Sequence, residues 1–206
     1  MSCISKSKLV YEATGNYYKD TSKNVVMRTF VAVEISNSDV INSVKKFQNN
    51  LKINAKPIVP EQLHFTLQFL GDISEDVKEK VSEAIQAIKF SEFSINLRGI
   101  GAFPRPNFPR VIWIGTDEQG GKNLVELAKK VENALKPLGL ISDKPFKPHI
   151  TIFRIKKKIG DITKELNEQK NMDFGIQKIS SIKLKKSELT TSGPIYSDIM
   201  EVIAEK

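Results

Sequence analysis

Two histidines stand among the 206 residues of this chain, and each opens the same four-residue pattern. His64-Phe65-Thr66-Leu67 and His149-Ile150-Thr151-Ile152 both read histidine, apolar, threonine, apolar. In an extended strand alternate side chains share a face, so each histidine projects beside its threonine while the apolar partners turn toward a core. On this parity Phe65, Leu67 and Phe69 face inward in the first copy, and Ile150 and Ile152 in the second. If the two strands face each other, two imidazoles and two hydroxyls surround one small volume. With an ordinary pKa of about 6.5, one imidazole can be neutral while its partner is protonated near neutral pH. The neutral ring can take a proton from water and the charged ring can give one to a leaving oxygen. The threonine hydroxyls are donors suited to non-bridging phosphate oxygens. The chemistry that fits is cleavage of a phosphodiester whose leaving group is an alkoxide, with no metal or other cofactor. A zinc reading falls short, because the two histidines have no cysteine partner, no His-Glu-x-x-His spacing and no obvious carboxylate as third ligand.

The elements that must position these groups follow from the hydrophobic pattern. Arg28 to Ile35 (RTFVAVEI) alternates as a buried strand, and Val40, Val44, Phe47 and Leu51 recur at helical spacing from Ser38 onward. Pro57 and Pro60 break the chain before the first motif strand, Leu63 to Leu70, which Gly71-Asp72 ends. Ser74 reads as an N-cap, followed by a helix with Val77, Val81, Ala84, Ile85 and Ile88 on one stripe. A strand is expected near Ser94 to Ile100, then a loop from Gly99 to Arg110 holding three prolines, Arg105 and Arg110. That loop is either a surface connection or a lip that presents arginines to phosphate. Val111 to Gly115 reads as a strand with Trp113 in the core, and Gly120-Gly121 as the lead-in to a helix ending about Leu138. The second motif strand is expected from Phe146 to Ile155, inside a stretch, Lys144 to Lys158, with six basic residues and no acidic one. A short helix over Asp161 to Glu168 and closing strands over Gly175 to Leu189 and Ile195 to Ile203 complete the chain. Lys183, Lys185 and Lys186 make one closing strand basic, and Tyr196 reads as a partly buried residue at a strand start.

Composition narrows the class. Apolar content of 40% and charged content of 27% are those of an ordinary globular protein, and 206 residues can bury a substantial core. No apolar run is long enough to span a bilayer, and none at the start resembles a signal segment. Cys3 is the only cysteine, which rules out an intramolecular disulfide and suits a cytoplasmic protein. The net charge of +8 suits a polyanionic partner.

The paired tetrads resemble the defining motifs of the 2H phosphoesterase superfamily. More narrowly, the chain is similar to the RNA 2′,3′-cyclic phosphodiesterases of bacteria and archaea, also called 2′-5′ RNA ligases. The likeness takes in Met27 to Val33 (MRTFVAV), His64 to Gly71 (HFTLQFLG), the loop Gly99 to Arg110 running into Val111 to Gly115, and Pro148 to Arg154 (PHITIFR). It implies an α+β fold of two antiparallel-sheet lobes with helices outside, approximate two-fold symmetry, and the catalytic cleft between the lobes. Residues 27–206 would form this single bilobal domain after a flexible leader, residues 1–26. The resemblance implies that RNA with 2′,3′-cyclic phosphate ends is opened to a 2′-phosphomonoester as the 3′-oxygen leaves. It assigns His64 as proton donor and His149 as proton acceptor, with Thr66, Thr151 and Arg154 on the phosphate. Strict alternation puts Arg154 on the face opposite His149 and Thr151, and a bend or strand end before Arg154 would reconcile the two. The chain is expected to act as a monomer, on RNA and away from membranes. Two other readings stay open: 2′-5′ joining of RNA by the same site run in reverse, and a non-catalytic RNA-binding module with a basic cleft.

Overall fold

A computed structural model describes residues 9–11, 17–19, 26–191 and 193–205. Within the leader, β1 (Leu9–Tyr11) and β2 (Tyr17–Lys19) pair antiparallel; the flexibility expected of residues 1–26 otherwise falls outside the described residues. Strand β3 (Val26–Glu34) buries Phe30 to Val33. Asn37 then caps helix α1 (Ser38–Asn50), its side chain accepting from the backbone N–H of Asp39 and Val40, and the helix buries Val40, Val44 and Phe47. The two-residue β4 (Lys56–Pro57) leads to the first motif strand, β5 (His64–Ser74). Helix α2 (Glu75–Gln86), β6 (Phe93–Phe103), β7 (Val111–Thr116) and α3 (Glu118–Leu135) follow. The second motif strand, β8 (Ile150–Arg154), then precedes α4 (Thr163–Glu168), β9 (Asp173–Ile179), β10 (Ser181–Thr190) and β11 (Gly193–Ile203).

Two antiparallel sheets organise these elements. The first runs β11-β10-β3-β5 and the second β4-β8-β7-β6-β9. In each, a strand leads through a helix to its antiparallel neighbour, the motif strand: β3-α1-β5 in one lobe, β7-α3-β8 in the other. The two-fold plan is therefore written in strand order, although the sequence repeats itself only in the tetrads. Helix α2 packs on the first sheet, α1 on the second, and α3 against strands of both. One continuous core results, with Phe65, Leu97, Ile112, Ile114, Ile150 and Ile152 fully buried. Burying each such side chain contributes about 1.5–3 kcal/mol. Polar braces fix the lobes to one another. Gln177 of β9 accepts from the backbone N–H of Ser36 (3.0 Å) and Asn37 (2.9 Å), and Gln48 of α1 donates to the carbonyls of Ile58 and Ile152, both at 2.9 Å.

Three expectations are corrected here. Helix α3 starts at Glu118 under an Asp117 cap, so Gly120 and Gly121 lie inside its first turns. A Cβ on Gly120 would come within 2.8 Å of Ile95, so the glycine lets the helix lie close on β6. The closing strand expected over Gly175 to Leu189 is two strands, because the chain leaves the second sheet after Ile179 and joins the first at Ser181. Ser74 does occupy the N-cap position of α2, but its side chain caps nothing.

Candidate active site

His64 begins β5, and His149 stands one residue ahead of β8 rather than within the strand. Both rings are oriented in the same way by their own backbone. His64 Nδ1 lies 2.7 Å from the carbonyl oxygen of Gln62, and His149 Nδ1 lies 2.6 Å from that of Lys147. A carbonyl only accepts, so Nδ1 carries the proton in each ring and Nε2 is left to exchange protons with the cleft. Each ring is also held edge-on by an aromatic neighbour: His64 by Tyr196 at 5.4 Å and His149 by Phe103 at 5.0 Å between centroids. Phe30 of the first lobe and Trp113 of the second supply further aromatic contacts, at 5.1 and 6.3 Å.

His64, Thr66, His149, Thr151 and Arg154 all line one cleft between the lobes, with a volume of about 200 Å³. Arg154 reaches it through a β-bulge. Ile112 of β7 pairs with Phe153 while Trp113 pairs with Thr151, leaving Ile152 as an extra residue on β8. Ile152 and Phe153 are both buried, parity shifts by one, and Arg154 returns to the face of Thr151. The first lobe carries the matching bulge. Val31 pairs with Gln68 and Ala32 with Thr66, Leu67 is the extra residue, and Leu67 and Gln68 are both buried.

The same bulge overturns the expectation that Phe69 faces the core. Phe69 is 74% exposed and lines the cleft, five residues after His64 as Arg154 is five after His149. Trp113 is the other correction. Ile112 and Ile114 fill the core, so Trp113 takes the cleft side of the sheet beside Thr151, its ring against Phe103 and over Gly101. A Cβ at Gly101 would come within 2.2 Å of that ring, so only glycine admits it. The alternation of Ile112 and Ile114 was the signal that could have placed Trp113 correctly.

Sequence reasoning also missed the ionic cluster behind His64. Glu34 is the cross-strand partner of His64, and both Lys183 and Lys185 of β10 bind it; the same two lysines bind Asp198 of β11. Lys183 lies 2.6 Å from Glu34 and 2.7 Å from Asp198, and the Lys185 side chain is only 6% exposed. Two ammonium groups and two carboxylates thus neutralise one another where the sequence suggested a basic strand. Burial alone would raise both carboxyls, but the lysines hold Glu34 and Asp198 below their usual range. Burial pushes the His64 imidazole down to about 4, with Lys185 and Arg154 pushing the same way against the Gln62 carbonyl and Glu34. Burial also lowers His149, opposed by the Lys147 carbonyl. Among the described residues, no three His, Cys, Asp or Glu side chains gather where they could hold a metal ion. Nor is any described helix long and apolar enough to cross a membrane.

One His-x-Thr strand from each of two pseudo-symmetric α+β lobes, meeting at a common cleft, is the plan of a 2H phosphoesterase. Comparisons with known proteins narrow this further. The family profile of the AKAP7 2′5′ RNA ligase-like domain matches residues 28–202. The RNA 2′,3′-cyclic phosphodiesterase of Archaeoglobus fulgidus is 39% identical over 175 residues, which are 84% of this chain and 98% of that protein. The protein of the same name from Methanocaldococcus jannaschii is 37% identical over 182 residues, 85% and 99% of the two chains. A crystal structure from Thermus thermophilus matches with a TM-score of 0.73 at 29% identity, covering 86% of this chain and 97% of that one. Apo LigT of E. coli shares the fold, with a TM-score of 0.72 at 21% identity over 88% of this chain and 99% of its own. The chain belongs to the 2H phosphoesterases, in the LigT-like RNA 2′,3′-cyclic phosphodiesterase family.

Proposed function

We propose that this protein hydrolyses the 2′,3′-cyclic phosphate at the 3′ end of RNA to a 2′-phosphomonoester, using its two imidazoles as an acid–base pair. The observation that carries this reading is the shared cleft, in which two identically tethered rings leave Nε2 free beside two threonines and an arginine. Relatives that this chain matches over most of their length bear the name of that activity.

His149 Nε2 takes a proton from the water that attacks phosphorus. As the bond from phosphorus to the 3′-oxygen breaks, His64 Nε2 gives its proton to that oxygen, and solvent exchange resets both rings. Thr66 and Thr151 donate to the non-bridging oxygens, and Arg154 adds a charged contact worth more than a neutral one. The low His64 pKa bears on the order of events. With a pKa of about 4, its imidazole is neutral in the free protein near neutral pH. A phosphodiester anion seated against it opposes the effect of Lys185 and Arg154 and raises that pKa, so the acid gains its proton with the substrate.

The test uses a short RNA ending in a 2′,3′-cyclic phosphate, incubated in chelator with and without a 5′-hydroxyl RNA. The expected product is the opened 2′-phosphomonoester in both cases. A 3′-phosphate product would reverse the leaving-group assignment, predominant joining would make the protein a ligase, and binding without product would make it an RNA-binding module.

A further inference from the structure

The two lobes use their cations differently. In the first lobe, Lys183 and Lys185 are neutralised by Glu34 and Asp198. In the second, Arg105, Arg110, Arg154, Lys156, Lys157 and Lys158 are all exposed, and none of them forms an ion pair among the described residues. They come from two stretches about 50 residues apart in sequence, 105–110 and 154–158, which the fold lays side by side. Ile155 donates its N–H to the Arg110 carbonyl at 2.9 Å, Ile162 donates to the Pro106 carbonyl at 3.3 Å, and Val111 is the cross-strand partner of Arg154. No Asp or Glu occurs in residues 99–116 or 144–160. The acids that directly follow these stretches are engaged locally: Asp117 accepts from the backbone N–H of Asn96 and Gly120, and Asp161 from the N–H and hydroxyl of Thr163. The result is a cationic strip, without an ion pair of its own among the described residues, that begins at the cleft with Arg154. On it the Arg110 guanidinium stacks over the exposed ring of Phe108, 5.0 Å from the centroid.

We propose that this strip is the track for the RNA strand 5′ to the reacting end, gripping its phosphates without regard to sequence. The inference rests on the functional reading above, since a terminal cyclic phosphate in the cleft obliges the rest of the strand to leave by one exit. The exit over the first lobe offers a neutralised cluster and the exposed apolar Leu189 and Ile195, and Gln62 crosses it to donate to the Pro194 carbonyl at 2.7 Å. The exit past Arg154 offers unpaired cations beside an aromatic face, the combination that holds single strands. The track makes an RNA strand a better substrate than a cyclic mononucleotide with the same reacting end.

The experiment compares the full chain with two exposed-surface variants, Lys156→Gln/Lys157→Gln/Lys158→Gln and Arg105→Gln/Arg110→Gln. Neither touches the residues assigned to the chemistry. For each, kcat/KM is measured on a 2′,3′-cyclic mononucleotide and on a short RNA ending in the same group. Binding of an RNA of that length with a 3′-hydroxyl end, which cannot react, is followed against salt. Both variants should lose about tenfold or more in kcat/KM on the RNA at low salt and nothing on the mononucleotide. The slope of log affinity against log salt should shrink by about two for the triple variant, at roughly 0.7 per single-strand phosphate contact. An unchanged slope, or equal losses on the two substrates, overturns the track. Because the binding arm needs no turnover, a shifted slope in a protein that opens no cyclic phosphate would retain the track and remove the activity.

Discussion

The β5 half and the β8 half of the cleft are built alike and surrounded differently. Each presents an imidazole tethered through Nδ1 to a carbonyl two residues back, a threonine two residues on, and a bulge before the next cleft-facing residue. The residue after the bulge is Phe69 in one half and Arg154 in the other. Behind His64 lies a neutralised ionic cluster, while the surface around His149 and Arg154 keeps its positive charge. The motif therefore fixes how each imidazole is held at the cleft, and the surroundings distinguish the two halves. In the proposed mechanism, symmetry supplies two equivalent proton carriers, and the asymmetry in charge biases where the anion sits between them.

Removing either imidazole should have the largest effect. His64→Ala and His149→Ala are each expected to lower kcat by about 10²–10⁴-fold with the circular dichroism spectrum unchanged. A half that tolerates the change is not part of an acid–base pair. Next comes the residue after each bulge. Arg154→Met should reduce kcat/KM by about 10–100-fold, the worth of one charge-assisted contact, with partial recovery in Arg154→Lys. Phe69→Ala, at the matching position without a charge, should cost less than about tenfold, and the opposite ranking in steady-state kinetics would remove the distinction between the halves.

The pH dependence separates the free from the bound site. Both imidazoles lie below the usual 6.5 in the free protein, His64 at about 4. The kcat/KM profile should therefore peak below pH 6.5, falling about tenfold per unit on its alkaline side. A bound phosphodiester raises both rings, so the kcat maximum should lie at higher pH than that of kcat/KM. Coincident maxima in the two profiles would contradict this. The smallest effects belong to the hydroxyls. Thr66→Val and Thr151→Val should each cost about fivefold, one neutral hydrogen bond of about 1 kcal/mol, and by similar amounts if the halves grip the phosphate alike.

Much of this could be read from residue order. The tetrads located both site strands, and helical spacing found α1 and α2 through Val40, Val44, Phe47, Val81 and Ile85. One failure arose because strand parity holds only while pairing is regular. A bulge at Leu67 turned Phe69 outward, and the bend before Arg154 is the equivalent bulge at Ile152. Neither leaves a sequence signature of its own beyond two adjacent apolar or amide residues. Trp113 was misplaced for a different reason, a large apolar ring being assigned to the core although Ile112 and Ile114 already occupied it. The neutralisation of Lys183 and Lys185 depends on β3 and β11 flanking β10, a tertiary fact that no local pattern carries.

With only two histidines in the chain, imidazole nitrogen NMR of isotope-labelled protein follows both site rings without overlap, each assigned by one substitution. The pH titration is recorded for the free protein and again with a saturating 2′-phosphomonoester. Both rings should titrate below 6.5 when free and both should move upward when the anion binds. A ring that titrates at or above its ordinary value, or one that ignores the anion while the other responds, would show that the two imidazoles do not serve a single phosphate.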